Sequence, residues 1–372
     1  MRPIYLDYNA TTPITDEVRA AMMPLLEHEF GNPSSSHVYG DYPRRAVQQA
    51  RKEVAGLIGA HSDEIVSTSG GTESNNWVLF SLARQLGDDG RHIVISSFEH
   101  PAVEEPCRVL EKQGFTVTRL PVDAAGLIDP DDFAASLRPD TILASVMHAN
   151  NEIGTIQPIA ELARIAREHG VRFHTDAAQS AGKIHVDTAE LGVDYLTIAG
   201  HKLYAPKGIG ALYIRRDSEL PPLLYGGGQE KGRRPGTENT AYIAGLGAAC
   251  RSASEHLSAN MTAMQQTCDR LHELLAQAVD VDLNGHPEQR LPNTLNLSFR
   301  NSEARVLLQR IADRVVASAG SACHSGSDVL SPVLQAIGAG TERGRGAVRF
   351  STGRMTSMEE IEQAAAIISS VC

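Results

Sequence analysis

From Glu64 onward, short apolar runs rich in β-branched residues alternate with longer amphipathic ones. EIVSTS (64–69), HIVIS (92–96), FTVTRL (115–120), TILASVM (141–147) and VRFHTD (171–176) have the length and composition of strands. The stretches near 73–85, 101–113 and 158–169 predict helices. Repeated strand-helix alternation of this kind gives an α/β fold with a mostly parallel sheet flanked by helices, in which ligands bind beyond the carboxyl ends of the strands. Ahead of it, helical periodicity covers 16–29 and 44–58, and FGNPSSSHVYG (30–40) is a loop by composition. Further on, Tyr195–Ala199 and Ile209–Ile214 predict two strands in tight connection, with Gly-His-Lys and a Pro-Lys-Gly turn between them.

The pattern changes after LLYGGGQEKGRRPGTENT (223–240). Residues 241 to 278 carry long helical periodicity, LPNTLNLSF (291–299), VVAS (315–318) and VRFST (348–352) predict strands, and Met358–Ile368 predicts a closing helix. The expected organisation is a large α/β domain over 16–256 and a smaller α+β domain made of 1–15 and 257–372.

Composition narrows the function class. With 372 residues, 42% hydrophobic and 21% charged, the chain is long enough for a substantial core. A formal charge of -11 gives no basic excess with which to bind nucleic acid. No apolar stretch approaches the roughly 20 residues of a membrane helix, and MRPIYLDYNATTP has no apolar core of a secretory signal. Five scattered cysteines (Cys107, Cys250, Cys268, Cys323, Cys372) without CxxC spacing suit a reducing cytoplasm and give no support to a metal site.

Four strand ends carry candidate chemistry. Gly70, Gly71 and Thr72 precede a helix and offer backbone N-H groups and a hydroxyl to an anion, although such starts also serve as plain caps. His100 follows HIVIS and could stack on a flat ring and move protons, or be structural. Asp176 ends VRFHTD and could pair with a pyridinium nitrogen, or be a simple N-cap for the next segment. Lys202, beside His201, is either a solvated loop lysine or an amine that forms an imine with a carbonyl cofactor. Asp176 and Lys202 together supply the two functions a pyridoxal phosphate site cannot omit.

LDYNATTP, FGNPSS, SGGTESNN, EHPAV, NNEIG, HTDAAQ, GHKLYAPKGIGALY, GGGQE, RPGTEN, SAGSACHSG and VRFSTGR, in this order from residue 5 to about 354, resemble the motif series of class V aminotransferases, specifically cysteine desulfurases and selenocysteine lyases. The resemblance implies the fold type I architecture of pyridoxal phosphate enzymes and a homodimer with active sites near its interface. It implies that Lys202 bonds the cofactor aldehyde, Asp176 partners its ring nitrogen, His100 stacks on the ring and handles protons, and Gln179 donates to its phenolic oxygen. Gly71, Thr72 and His201 would hold the phosphate, with Thr237 from the other subunit. Asn151 and Arg349 would grip the substrate carboxylate, and Cys323 would take sulfur from L-cysteine as a persulfide, leaving L-alanine. The same motifs imply selenocysteine lyase activity on L-selenocysteine as the alternative, or, further off, an aminotransferase. A sulfur-acceptor protein is the expected partner of the first. Ala199 stands where family members often carry a serine, so one phosphate contact is expected to be missing, and the other four cysteines are expected to be small buried residues.

Overall fold

The computed structural model describes residues 2–300, 302–319 and 330–372. Its strands are β1 (Ile4–Tyr5), β2 (Ile65–Thr68), β3 (His92–Ser96), β4 (Thr116–Leu120), β5 (Thr141–Ser145), β6 (Arg172–Asp176), β7 (Tyr195–Ala199), β8 (Gly210–Ile214), β9 (Val281–Asn284), β10 (Thr294–Phe299), β11 (Val315–Val316) and β12 (Ala347–Ser351).

Seven of them form one sheet in the order β2-β8-β7-β6-β5-β3-β4. Pairs from β7 to β4 are parallel, while β8 runs antiparallel to both neighbours. Strand periodicity sends successive side chains to opposite faces, and both faces are buried. Ile93, Ile95, Leu143, Tyr195 and Leu212 pack toward the helices Gly71–Leu86 and Pro101–Lys112. Val94, Ala144, Leu196, Ala211 and Tyr213 pack toward Asp16–Glu27, Val38–Leu57, Ile159–Glu168 and Thr240–Glu255. Fully burying each large aliphatic side chain stabilises by about 1.5–3 kcal/mol, which explains why these strands read as near-continuous apolar runs.

A second core lies around the antiparallel sheet β12-β10-β9, where Leu295, Leu297 and Phe350 meet Leu271 and Leu275 of helix Leu257–Ala278 and Ile361 and Ile368 of helix Met358–Ser369. The N-terminal segment joins this part of the molecule: β1 pairs in parallel with β11, and Ser351 N-H donates to the Leu6 carbonyl.

Three expectations need correction. Val38–Leu57 is one helix that starts six residues before Arg44, inside the stretch expected to be loop. Pro43 lies within it; lacking an N-H, it costs the helix one hydrogen bond near its start and does not end it. The long helical segment 241–278 is two helices, broken at His256, whose φ of -116° is not helical. The VVAS segment is a strand only at Val315–Val316, with a separate bridge from Ser318 to Arg349.

Candidate active site

The carboxyl ends of β3, β5, β6 and β7 open onto a cleft of about 1290 Å³. Gly71, Thr72, His100, Asn151, Asp176, Gln179, His201, Lys202 and Arg349 all line it, so most of the sequence-predicted site residues meet in one place. Thr237 is exposed and is not among the described residues lining this cleft. Cys323 lies outside the described residues.

Lys202 sits in a 3-10 turn, Gly200–Lys202, directly after β7. Its Nζ donates to the backbone carbonyls of Asn9 at 2.5 Å and Ala10 at 2.8 Å. Burial in the cleft wall and the positive charge of Arg349 push its pKa down to about 8, against the opposing pull of Asp7 and Asp176. A lysine amine ordinarily near 10.5 thereby has a sizeable neutral fraction at physiological pH, although the charged form still leads.

Asp176 ends β6 with both carboxylate oxygens held: Asn75 Nδ2 donates to Oδ2 at 2.7 Å, and the Ala178 N-H donates to Oδ1 at 2.9 Å. His100 caps the helix Pro101–Lys112, its Nδ1 accepting from the Ala102 N-H at 3.0 Å. In the neutral ring Nε2 therefore carries the proton. The walls around His100 lower its pKa by desolvation, Asp176 pulls the other way, and Lys202 adds to the lowering.

The opposite wall begins at Gly70, whose φ of +147° only glycine adopts readily. It turns the chain from β2 into the helix Gly71–Leu86, whose first residues, Gly71 and Thr72, line the cleft. A side chain built on Gly71 would come to 3.6 Å from the methyl of Ala199, so the position expected to lack a hydroxyl does face this helix start. His201 stands nearby, with Nδ1 3.2 Å from Thr11 Oγ1, and burial with the adjacent Lys202 lowers its pKa to about 4.

Arg349, on β12, donates from Nη2 to Asp7 Oδ1 at 2.7 Å and from Nη1 to the Asn151 carbonyl at 3.0 Å. Its Nε is buried with no hydrogen-bond partner among the described residues.

Several residues of this site carried no assignment at the sequence level: Asp7, Asn9, Asn75 and Lys183. Asn9 joins most of them. Its side chain donates to Thr294 Oγ1 and the Asn151 carbonyl and accepts from Lys183 and Asn293, while its backbone carbonyl accepts from Lys202 and Gln179. Asp7 and Asn9 stand within LDYNATTP and Asn75 within SGGTESNN, so the motifs held the signal without indicating the partners. Among the other cysteines, Cys107, Cys250 and Cys268 are buried, but Cys372, the last residue after the closing helix, is exposed, contrary to expectation.

The family described as Aminotransferase class-V matches residues 4–364. The chain is 49% identical over 362 residues to a protein named cysteine desulfurase IscS from Dictyoglomus turgidum, covering 97% of this chain and 92% of that one. With the cysteine desulfurase of Mus musculus it shares 44% identity, over 98% of this chain and 80% of the relative. A solved structure described as a NifS-like protein superposes with a TM-score of 0.94 at 34% identity, covering 100% of this chain and 99% of its own. Another, described as SspA in complex with cysteine, gives a TM-score of 0.85 at 38% identity, over 96% and 100% of the two chains.

Proposed function

The chain belongs to the class-V aminotransferase family, whose cysteine desulfurases depend on pyridoxal phosphate, and we propose that this protein is such a desulfurase, converting L-cysteine to L-alanine with sulfur passed to Cys323. The observation that carries the reading is the convergence of Lys202, Asp176, His100 and Arg349, from four separate parts of the chain, on one cleft.

The groups present fit the cofactor. Asp176 would hold the ring nitrogen, Gln179 the phenolic oxygen and His100 the ring, and Gly71, Thr72 and His201 would take the phosphate, with Ala199 contributing no hydroxyl. Bound there, pyridoxal phosphate supplies an aldehyde for amines and a ring that accepts the electron pair released when an α-proton leaves.

The protein's own groups do the rest. With a pKa of about 8, Lys202 is populated in both protonation states near pH 7–8, so it can release and accept a proton at the substrate α-carbon. Asn75 and the Ala178 N-H keep the Asp176 carboxylate from turning away. Asn151 and Arg349 hold the substrate carboxylate; a guanidinium suits this through paired N-H donors. A Cys323 thiolate attacks the substrate sulfur, forming an S-S bond as the C-S bond breaks with its electron pair left on the β-carbon, which a proton then completes as the methyl of alanine.

The protein works as a homodimer in the cytoplasm, with Thr237 of one subunit completing the phosphate site of the other. Support comes from the exposure of Thr237 outside its own cleft and from the exposed apolar side chains of Phe30, Val38 and Tyr225 on the same molecule. The core that unites Leu6 with residues between Cys268 and Ile368 supports the expected division into 16–256 and 1–15 with 257–372, although a further cluster of Phe98, Met147 and Ile153 with Val333, Leu334 and Ile337 spans the two.

The test compares L-cysteine and L-selenocysteine on the wild type and on Cys323→Ala, measuring alanine and the mass of the peptide bearing residue 323. The wild type gains one sulfur on that peptide, and Cys323→Ala loses cysteine turnover by at least about a hundredfold, as loss of a covalent nucleophile requires. Full cysteine turnover without Cys323 would refute the persulfide step, and turnover of L-selenocysteine alone would make the protein a selenocysteine lyase.

A further inference from the structure

Gln179 has two unlike ends, and two neighbours fix which way they point. Its Oε1 lies 2.8 Å from Lys183 Nζ, and its Nε2 lies 3.0 Å from the Asn9 backbone carbonyl. The carbonyl can only accept, and the amine, charged or neutral, has N-H groups to donate. Both contacts therefore demand the same orientation. Turning the amide over would set its oxygen against the Asn9 carbonyl and cost Lys183 its acceptor, leaving buried groups unsatisfied at about 1–3 kcal/mol each.

Lys183 is built for this task and for no contact in the cleft. It is 6% exposed, does not line the cleft, and spends its donors on Gln179 Oε1 and on Asn9 Oδ1 at 3.0 Å. Asn9 is itself held by Asn293 and Thr294, and its carbonyl also receives Lys202. Burial, with Lys202 and Arg349 adding to it, drives the Lys183 amine well below its ordinary value, and a neutral amine still keeps two N-H groups for these two acceptors. Within Gln179, one N-H of Nε2 goes to Asn9, and the second is left for the cleft that the residue lines.

We propose that Lys183 is a positioning residue that locks the Gln179 amide with its free N-H toward the phenolic oxygen of the bound cofactor. The proposal rests on the reading of the cleft as a pyridoxal phosphate site with Gln179 at that oxygen. A donated hydrogen bond favours the ionised oxygen, so the acid-base midpoint of the cofactor bound to Lys202 depends on a lysine in the second rank.

The experiment titrates the visible absorbance of the cofactor-loaded protein with pH, without substrate, for the wild type, Lys183→Met, Gln179→Met and the double variant. The midpoint of Lys183→Met rises by about one pH unit, the worth of one hydrogen bond to a charged group. Gln179→Met shifts it in the same direction, and the double variant moves no further than Gln179→Met alone. A wild-type midpoint in Lys183→Met, a shift in it that Gln179→Met does not share, or additive shifts in the double variant would overturn the proposal. Should Lys183→Met fail to fold, Lys183→Gln keeps a polar group but is too short to reach Oε1, and shows the same rise if the proposal holds. A wild-type protein that takes up pyridoxal phosphate with no visible band would instead sink the cofactor reading on which the proposal stands.

Discussion

Lys202 is held by two backbone carbonyls, from Asn9 and Ala10, with no carboxylate in contact among the described residues. The carbonyl dipoles and the more distant charges of Asp7 and Asp176 only partly offset the desolvation and the charge of Arg349, which together lower its pKa to about 8. The cofactor-free protein is therefore expected to capture pyridoxal phosphate at a rate that rises about tenfold per pH unit below this midpoint and levels above it, because only the neutral amine attacks an aldehyde. Asp7 raises the pKa of Lys202, so Asp7→Asn moves that midpoint down. Stopped-flow absorbance against pH checks both, and a wild-type midpoint near the ordinary 10.5 would refute the assignment. Lys202 and Asp176 were legible in the sequence because Asp176 closes one strand-like run and Lys202 stands three residues past the end of another, where strand ends present side chains to a cleft. Asp7 was not, because its partner Arg349 lies 342 residues away and no local spacing announces an ion pair. Asn75 likewise serves a carboxylate 101 residues downstream.

At the scale of elements, the helix start that would take the phosphate depends on a glycine of another strand. A side chain built on Gly210, in β8, would come within 2.5 Å of the Ile198 carbonyl and 2.7 Å of Gly70 Cα, both backbone atoms with little room to yield. Gly210→Ala must therefore shift the turn at Gly70, and overpacking of this kind costs about 1–3 kcal/mol. The expected result is a lower urea midpoint together with weaker retention of pyridoxal phosphate, measured by its release on dilution. A wild-type dissociation constant in a folded Gly210→Ala would show that the Gly70 turn is not part of the cofactor site. The sheet itself was legible, since strands buried on both faces read as apolar runs that a single chain can hardly disguise. Helix limits were less so. Gly40 and Pro43 marked the start of Val38–Leu57 as loop, because composition reports intrinsic preference, while the buried faces of Val47, Ala50 and Val54 against Ile243 and Leu246 decide where the helix runs. The break at His256 falls between two helical patterns and disturbs the periodicity of neither.

For the whole molecule, burial acts on many titrating groups, and their signs combine into one pH profile. His148 and His174 are lowered to about 4 by burial, so the unfolded chain binds more protons and stability rises with pH up to the ordinary 6.5. Lys183, lowered well below 10.5, and Lys202, at about 8, extend the rise on the alkaline side by the same logic. Glu99 opposes them: burial raises it to about 8, so the folded chain holds a proton that the unfolded chain has lost above 4.5. Its opposition ends near pH 8. Above 9 the buried thiols of Cys107, Cys250 and Cys268, all raised by desolvation, reverse the slope, and the buried phenols of Tyr195 and Tyr204 steepen the fall beyond 10. Each proton of difference is worth about 1.4 kcal/mol per pH unit. The cofactor-free protein is thus expected to be most stable between about pH 8 and 9, well above the range in which a chain of net charge -11 is neutral. Urea unfolding across pH measures this directly. Lys183→Met, lacking the lowered amine, flattens the alkaline rise that leads to the maximum, and a wild-type maximum below pH 7 would mean that the buried lysines are charged in the folded protein.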